Sequence, residues 1–209
     1  MAIKEFKLES YISREERHYC AFLFRWLLES RENVSQLLLG RSKLGEEYRL
    51  FYEYTAIREY LFSLKKRMGG VEYKQIKDIL NQKLVNFDRP NPDQTNDIQK
   101  KKIDLALQTC IDGKTIIYLV EAKFEEGFDI DQLLLTENYG KILKELFSVD
   151  YEVIVLGLEY YLNKKGLERY HKLSWESLVE KIDDPIVKNE IVKGLEYEYQ
   201  IHPRTKIKS

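Results

Sequence analysis

The chain has 209 residues, 44% of them hydrophobic and 33% charged, with a formal net charge of −1. That composition supplies a sizeable core under a charged surface, and it excludes a globally basic field as the means of holding a nucleic acid. Cys20 and Cys110 have no Cys or His at ligand spacing, which excludes a disulfide framework and a Cys/His zinc site.

Both thiols are therefore expected in the core of a protein of the reducing cytoplasm. His18, His171 and His202 are scattered and read as surface or satisfied core residues. The N-terminus lacks an apolar signal-peptide core, and no apolar run is long enough to span a bilayer, so no membrane association is expected.

Residues 1–12 read as an irregular lead-in. Ser13 and Glu16 have capping-box spacing, and the helix they open carries Tyr19, Phe22, Leu23, Trp26 and Leu27 on one stripe to about Ser30. Residues 31–43 read as a short helical or irregular connection. From about Leu44 to Met68, Tyr48, Phe51, Tyr54, Ile57, Leu61 and Leu64 recur at helical spacing and predict a second helix. Lys65, Lys66 and Arg67 fill its last turn and Gly69-Gly70 follows, all helix-stop features, with a phosphate contact as the alternative use of the three cations. Glu53 and Glu59 then fall on a solvated helix face, with a role as extra carboxylates as the alternative. A third helix is expected over about 71–85. Residues 86–99, with two Pro, three Asn and three Asp, read as a loop. Lys100, Lys101 and Lys102 follow, either to meet a phosphate backbone or to blunt an exposed strand end.

The stretch after this run organises the chain. Two segments rich in Ile, Leu, Val and Thr flank Asp112-Gly113, the signature of a hairpin closed by a two-residue turn with positive φ at both centres. With that loop Ile111 faces Lys114, and Asp104 faces Glu121 on the same sheet face as Lys123. Opposed Cβ atoms lie roughly 4.5–5.5 Å apart, where like charges destabilise. Two carboxylates there need a proton, a cation between them, or open solvent at the hairpin end.

Asp104 followed by Glu121-Ala122-Lys123 on the next strand resembles the active-site signature of the PD-(D/E)XK nuclease superfamily, with Ile103 where the signature has Pro. The resemblance covers about residues 98–180. It implies an α/β, restriction endonuclease-like fold: a mixed central sheet, made of an antiparallel hairpin plus a βαβ unit, flanked by helices and preceded by an N-terminal helical layer. One domain is expected, with the helical layer over 1–87, the core over 98–182, and a C-terminal helix and tail over 183–209.

The resemblance also implies Asp104, Glu121 and the carbonyl of Ala122 as ligands of Mg²⁺, for which Mn²⁺ could substitute. Lys123 would orient or deprotonate water, or stabilise developing charge. By the same analogy Glu16 is a candidate extra carboxylate, although the capping box also accounts for it. The substrate implied is nucleic acid, DNA rather than RNA, with Lys100, Lys101 and Lys102 as phosphate contacts. Cutting both strands needs two sites, so a homodimer is also compatible.

After Phe124 a turn at 125–127 leads to Asp129, which can cap a helix to about Phe147, with Gln132 at capping-box spacing. The resemblance implies instead that Gln132 faces the metal site; Thr136 stands where one branch of the superfamily has Tyr. Tyr151–Leu158 reads as a buried strand that completes a right-handed βαβ unit. Asn163–His171 is read as a short helix or turn. Ser174-Trp175 opens a helix, and Asp184-Pro185 caps a final one to about Leu195. Two further readings stay open: a non-catalytic module that keeps the fold to bind nucleic acid or protein, and an accidental match on a solvated hairpin.

Overall fold

The computed structural model describes residues 16–38, 44–85, 98–124 and 127–201, apart from the side chains of Glu16, Leu84, Val85 and Ile201. In chain order the elements are α1 (Glu16–Leu27), α2 (Arg31–Gln36), β1 (Tyr48–Tyr54), α3 (Ala56–Arg67), α4 (Gly70–Val85), β2 (Ile103–Ile111) and β3 (Lys114–Ala122). They continue with α5 (Ile130–Phe147), β4 (Asp150–Gly157), α6 (Glu159–Leu162), β5 (His171–Ser174), α7 (Trp175–Lys181) and α8 (Pro185–Ile201). The strands form one sheet in the order β1-β2-β3-β4-β5, so the protein is α/β. β1 and β3 both pair antiparallel with β2. α5 carries the chain back between the neighbouring strands β3 and β4, which makes that pair parallel and the sheet mixed.

The β2–β3 hairpin has the expected register, Leu105 against Val120 through Ile111 against Lys114. Asp112 and Gly113 take φ values of 49° and 74°, the positive pair that a type I′ turn requires.

The expected helix over 44–68 is corrected. Tyr48–Tyr54 is a strand paired with β2, and the helix starts only at Ala56. The run Tyr-Arg-Leu-Phe-Tyr-Glu-Tyr is aromatic and suits a half-buried pleated surface, and six cross-strand pairings to β2 outweigh the helical spacing of its rings. A strand at His171–Ser174, absent from the sequence reading, precedes α7, and α8 runs on to Ile201. Cys20 is buried as expected. Cys110 is exposed, because it lies one residue from the end of β2, where the hairpin turns.

The chain divides into two compact units. One comprises Leu44–Glu121 and Phe128–Ile154. Its core joins Ile57 and Leu61 of α3, Ala106 of β2, Leu119 of β3, and Tyr139 and Ile142 of α5. Gly140 on α5 lies against the Tyr151 ring, where an added Cβ would come within 2.2 Å. The other unit comprises Met1–Lys43, Ala122–Gly127 and Val155–Ser209. There Tyr19 stacks on Phe124 at 3.8 Å between centroids, and the Trp175 ring lies 5.3 Å from Phe124. α1 packs on α8, and an added Cβ at Gly194 would come within 2.6 Å of the Tyr19 ring. Among the described residues no helix is long and apolar enough to cross a membrane.

Candidate active site

The hairpin register is set from Leu105 against Val120 onward, and carried one residue beyond that pair it would set Asp104 opposite Glu121. On the other side of β2, the pairs Tyr52–Leu105 and Tyr54–Ile103 bracket Glu53 and Asp104. Continued in this way, the register would put Glu53, Asp104 and Glu121 in one row across three strands. Glu53 takes φ 48°, in the left-handed region that a non-glycine side chain adopts only under constraint. The sequence offers Glu53 as an extra carboxylate or as part of a solvated face, in both cases on a helix; the structure puts it instead on β1, the strand paired with β2.

Glu121 is 2% exposed, and both of its oxygens accept hydrogen bonds. Gln132 Nε2 donates to Oε1 at 2.5 Å. Thr136 Oγ1 donates to Oε2 at 2.9 Å, and Lys101 Nζ lies 3.4 Å from the same oxygen. Charge-assisted bonds of this kind let an ionised carboxylate remain in a dry place. Gln132 and Thr136 are four residues apart on α5, so they share one helix face, and α5 presents both to β3.

Of the two uses that the sequence leaves open for Gln132, the capping box is not the one its side chain takes. Asp129 does cap α5, accepting from the amide of Asp131 at 2.9 Å, but the Gln132 side chain is engaged by Glu121. Thr136 was noted in the sequence only as the absence of a Tyr. Its spacing from Gln132 was the signal for its place beside Glu121.

The Lys100–Lys102 run divides by role. Lys101, its side chain 14% exposed, pairs with Glu121, and Lys102 pairs with Glu53 at 3.3 Å. Only Lys100 is left exposed without a carboxylate partner among the described residues. The run is held in place from behind, where the amide of the buried Ile98 donates to Asn81 Oδ1 at 2.8 Å.

Ala122 and Lys123 are described in the other unit. Ala122 is buried. The Lys123 amide donates to the Leu156 carbonyl at 2.8 Å, and its own carbonyl accepts from Trp175 Nε1 at 3.0 Å. The backbone that carries the lysine is thus fixed at both of its polar groups. Trp175 reaches it from the first position of α7, whose cap is Ser174, accepting from the Ser177 amide at 3.0 Å. Glu16 opens α1, but its side chain and Ser13 lie outside the described residues, so that candidate has no described surroundings.

Among the described residues no three His, Cys, Asp or Glu side chains converge as a metal cage. Asp104 and Glu121 carry carboxylate oxygens, which suit a hard divalent cation. Mg²⁺ in particular is commonly held by one or two carboxylates with its remaining positions filled by water or substrate.

Comparison with protein-family models, curated proteins and solved structures finds no match for this chain.

Proposed function

We propose that the chain is a metal-dependent nuclease of the PD-(D/E)XK type that hydrolyses nucleic-acid phosphodiester bonds, in DNA rather than RNA. The observation that supports this reading is the hairpin register, Leu105 against Val120 through Ile111 against Lys114; continued one residue it would oppose Asp104 to Glu121, with Lys123 two residues further on. An antiparallel hairpin followed by a helix and a parallel strand is also the arrangement that the resemblance implies.

Asp104 and Glu121 would hold Mg²⁺ or Mn²⁺, with the carbonyl of Ala122, next in the chain, as the third ligand that the resemblance implies. Such an ion polarises the phosphoryl oxygen and makes a bound water a better nucleophile. Gln132 and Thr136 fix the orientation of the Glu121 carboxylate, so that it need not reorganise during the reaction. Lys123, on a backbone held by Leu156 and Trp175, orients the attacking water or stabilises charge on the phosphoryl oxygens.

A second reading, a non-catalytic module that binds nucleic acid or protein, is favoured by one observation. Lys101 and Lys102 already balance Glu121 and Glu53, as they would in a site that needs no metal.

Incubation of plasmid and linear duplex DNA with the wild type, Glu121→Gln and Lys123→Ala in Mg²⁺ or Mn²⁺ separates the two. The nuclease reading predicts wild-type cleavage that EDTA abolishes, and losses on the order of 10²–10³-fold in each variant. Cleavage retained in both variants, or in EDTA, contradicts it.

A further inference from the structure

The chain as a whole carries a net charge of −1, but residues 56–85, which span α3 and α4, hold seven Lys and Arg against three Asp and Glu, a net of +4. This charge gathers at the elbow between the two helices. Lys65, Lys66 and Arg67 end α3, Met68 and Gly69 make the turn, and Lys74 lies one turn into α4. All four cations are exposed, and none pairs with a carboxylate among the described residues. One or two cations would offset the dipole of α3, so three in a single turn exceed that need.

The elbow is tied to the carboxylate row by a chain of contacts within one compact unit. Lys65 Nζ stands 5.8 Å from the centre of the Tyr73 ring. The Tyr73 hydroxyl accepts from Gln99 Nε2. Gln99 is followed by the exposed Lys100 and then by Lys101, whose ammonium lies 3.4 Å from Glu121. Consecutive Cα atoms are about 3.8 Å apart, so Gln99 and Lys101 lie within about 7.6 Å along the chain.

We propose that Lys65, Lys66, Arg67, Lys74 and Lys100 form a phosphate-contacting track that leads duplex DNA from the α3–α4 elbow to the Asp104–Glu121 end of the hairpin. The choice of DNA as occupant rests on the nuclease reading; the track itself rests on the charge and the contacts. A duplex carries one charge per ~1.7 Å of axis, and a row of exposed cations releases its condensed counterions on binding.

The test is fluorescence anisotropy of a labelled DNA duplex, run in EDTA over a salt series. It compares the wild type, the triple variant Lys65→Gln, Lys66→Gln, Arg67→Gln, and the control pair Lys181→Gln, Lys188→Gln on exposed positions of α7 and α8. Each phosphate contact contributes ~0.9 to the slope of log K against log salt, so the triple variant should lose about 2–3 from the slope and the control nothing. Lys74→Gln and Lys100→Gln, each a single exposed change, should lose ~0.9 each and serve if the triple variant does not fold.

An unchanged slope, an equal loss in the control, stronger binding of single-stranded RNA, equal competition by polyglutamate, or no wild-type binding would each overturn the track. Because no divalent ion is present, the outcome is independent of catalysis. A track without cleavage would retain this inference and remove the nuclease; cleavage with an unchanged slope would do the reverse.

Discussion

Glu121 is the residue on which the account turns, because burying a carboxylate at 2% exposure is costly unless its oxygens are satisfied. Three donors do so, from α5 and from the segment entering β2. Removing the Thr136 hydroxyl while keeping the shape of its side chain tests their weight. Thr136→Val should lower stability by about 1–3 kcal/mol in urea unfolding, whereas Thr136→Ser, which restores the donor, should lose less. Equal losses in the two would mean that Thr136 matters through packing alone. The sequence made the hairpin register legible, since its Asp-Gly turn sets Ile111 against Lys114 and the pairs back to Leu105 and Val120. It could not place Glu53 beside β2, because that depended on recognising β1. Nor could it choose between the two uses of Gln132: capping its own helix and holding Glu121 both suit a Gln at that spacing.

At the scale of elements, the segments whose ends are set locally were readable. The Asp129, Ser174 and Asp184 caps all form where the sequence put them. Backbone hydrogen bonds from Val187, and then Ile186, hold the Asp184 carboxyl below its ordinary pKa of 3.8. A pKa lowered by folding contributes stability that is present above the unfolded value and lost as the pH falls through the folded one. The melting temperature of the wild type should therefore exceed that of Asp184→Asn at neutral pH, and the gap should close as the pH falls through that lowered value. A gap that persists in strong acid would contradict the cap. β1 was not readable, because its aromatic residues meet both the helical and the strand pattern, and the deciding partner, β2, lies about fifty residues away in the chain. β5, of only four residues, carries too few side chains to show an alternation. α7 has a part beyond packing: Trp175→Phe keeps most of the ring volume but leaves the Lys123 carbonyl without its indole donor. DNA cleavage by this variant should slow with binding of the duplex retained; an unchanged rate would remove Trp175 from the positioning of Lys123.

For the whole molecule, composition indicated a sizeable apolar interior; the α/β class came from the hairpin with its following helix and strand, which lie where they were expected. The division into two compact units was not visible, because each is assembled from segments far apart in sequence and no linker composition marks the boundaries. Likewise, an overall charge of −1 concealed the +4 of residues 56–85, since an average over the chain cancels a local excess. The central claim is that the opposed carboxylates hold a divalent ion, and calorimetric titration of Mg²⁺ and Mn²⁺ into the wild type and Asp104→Ala, with duplex DNA present, tests it most directly. The account predicts saturable binding by the wild type that is lost in Asp104→Ala. No binding up to millimolar metal, or equal binding by the two proteins, would contradict it.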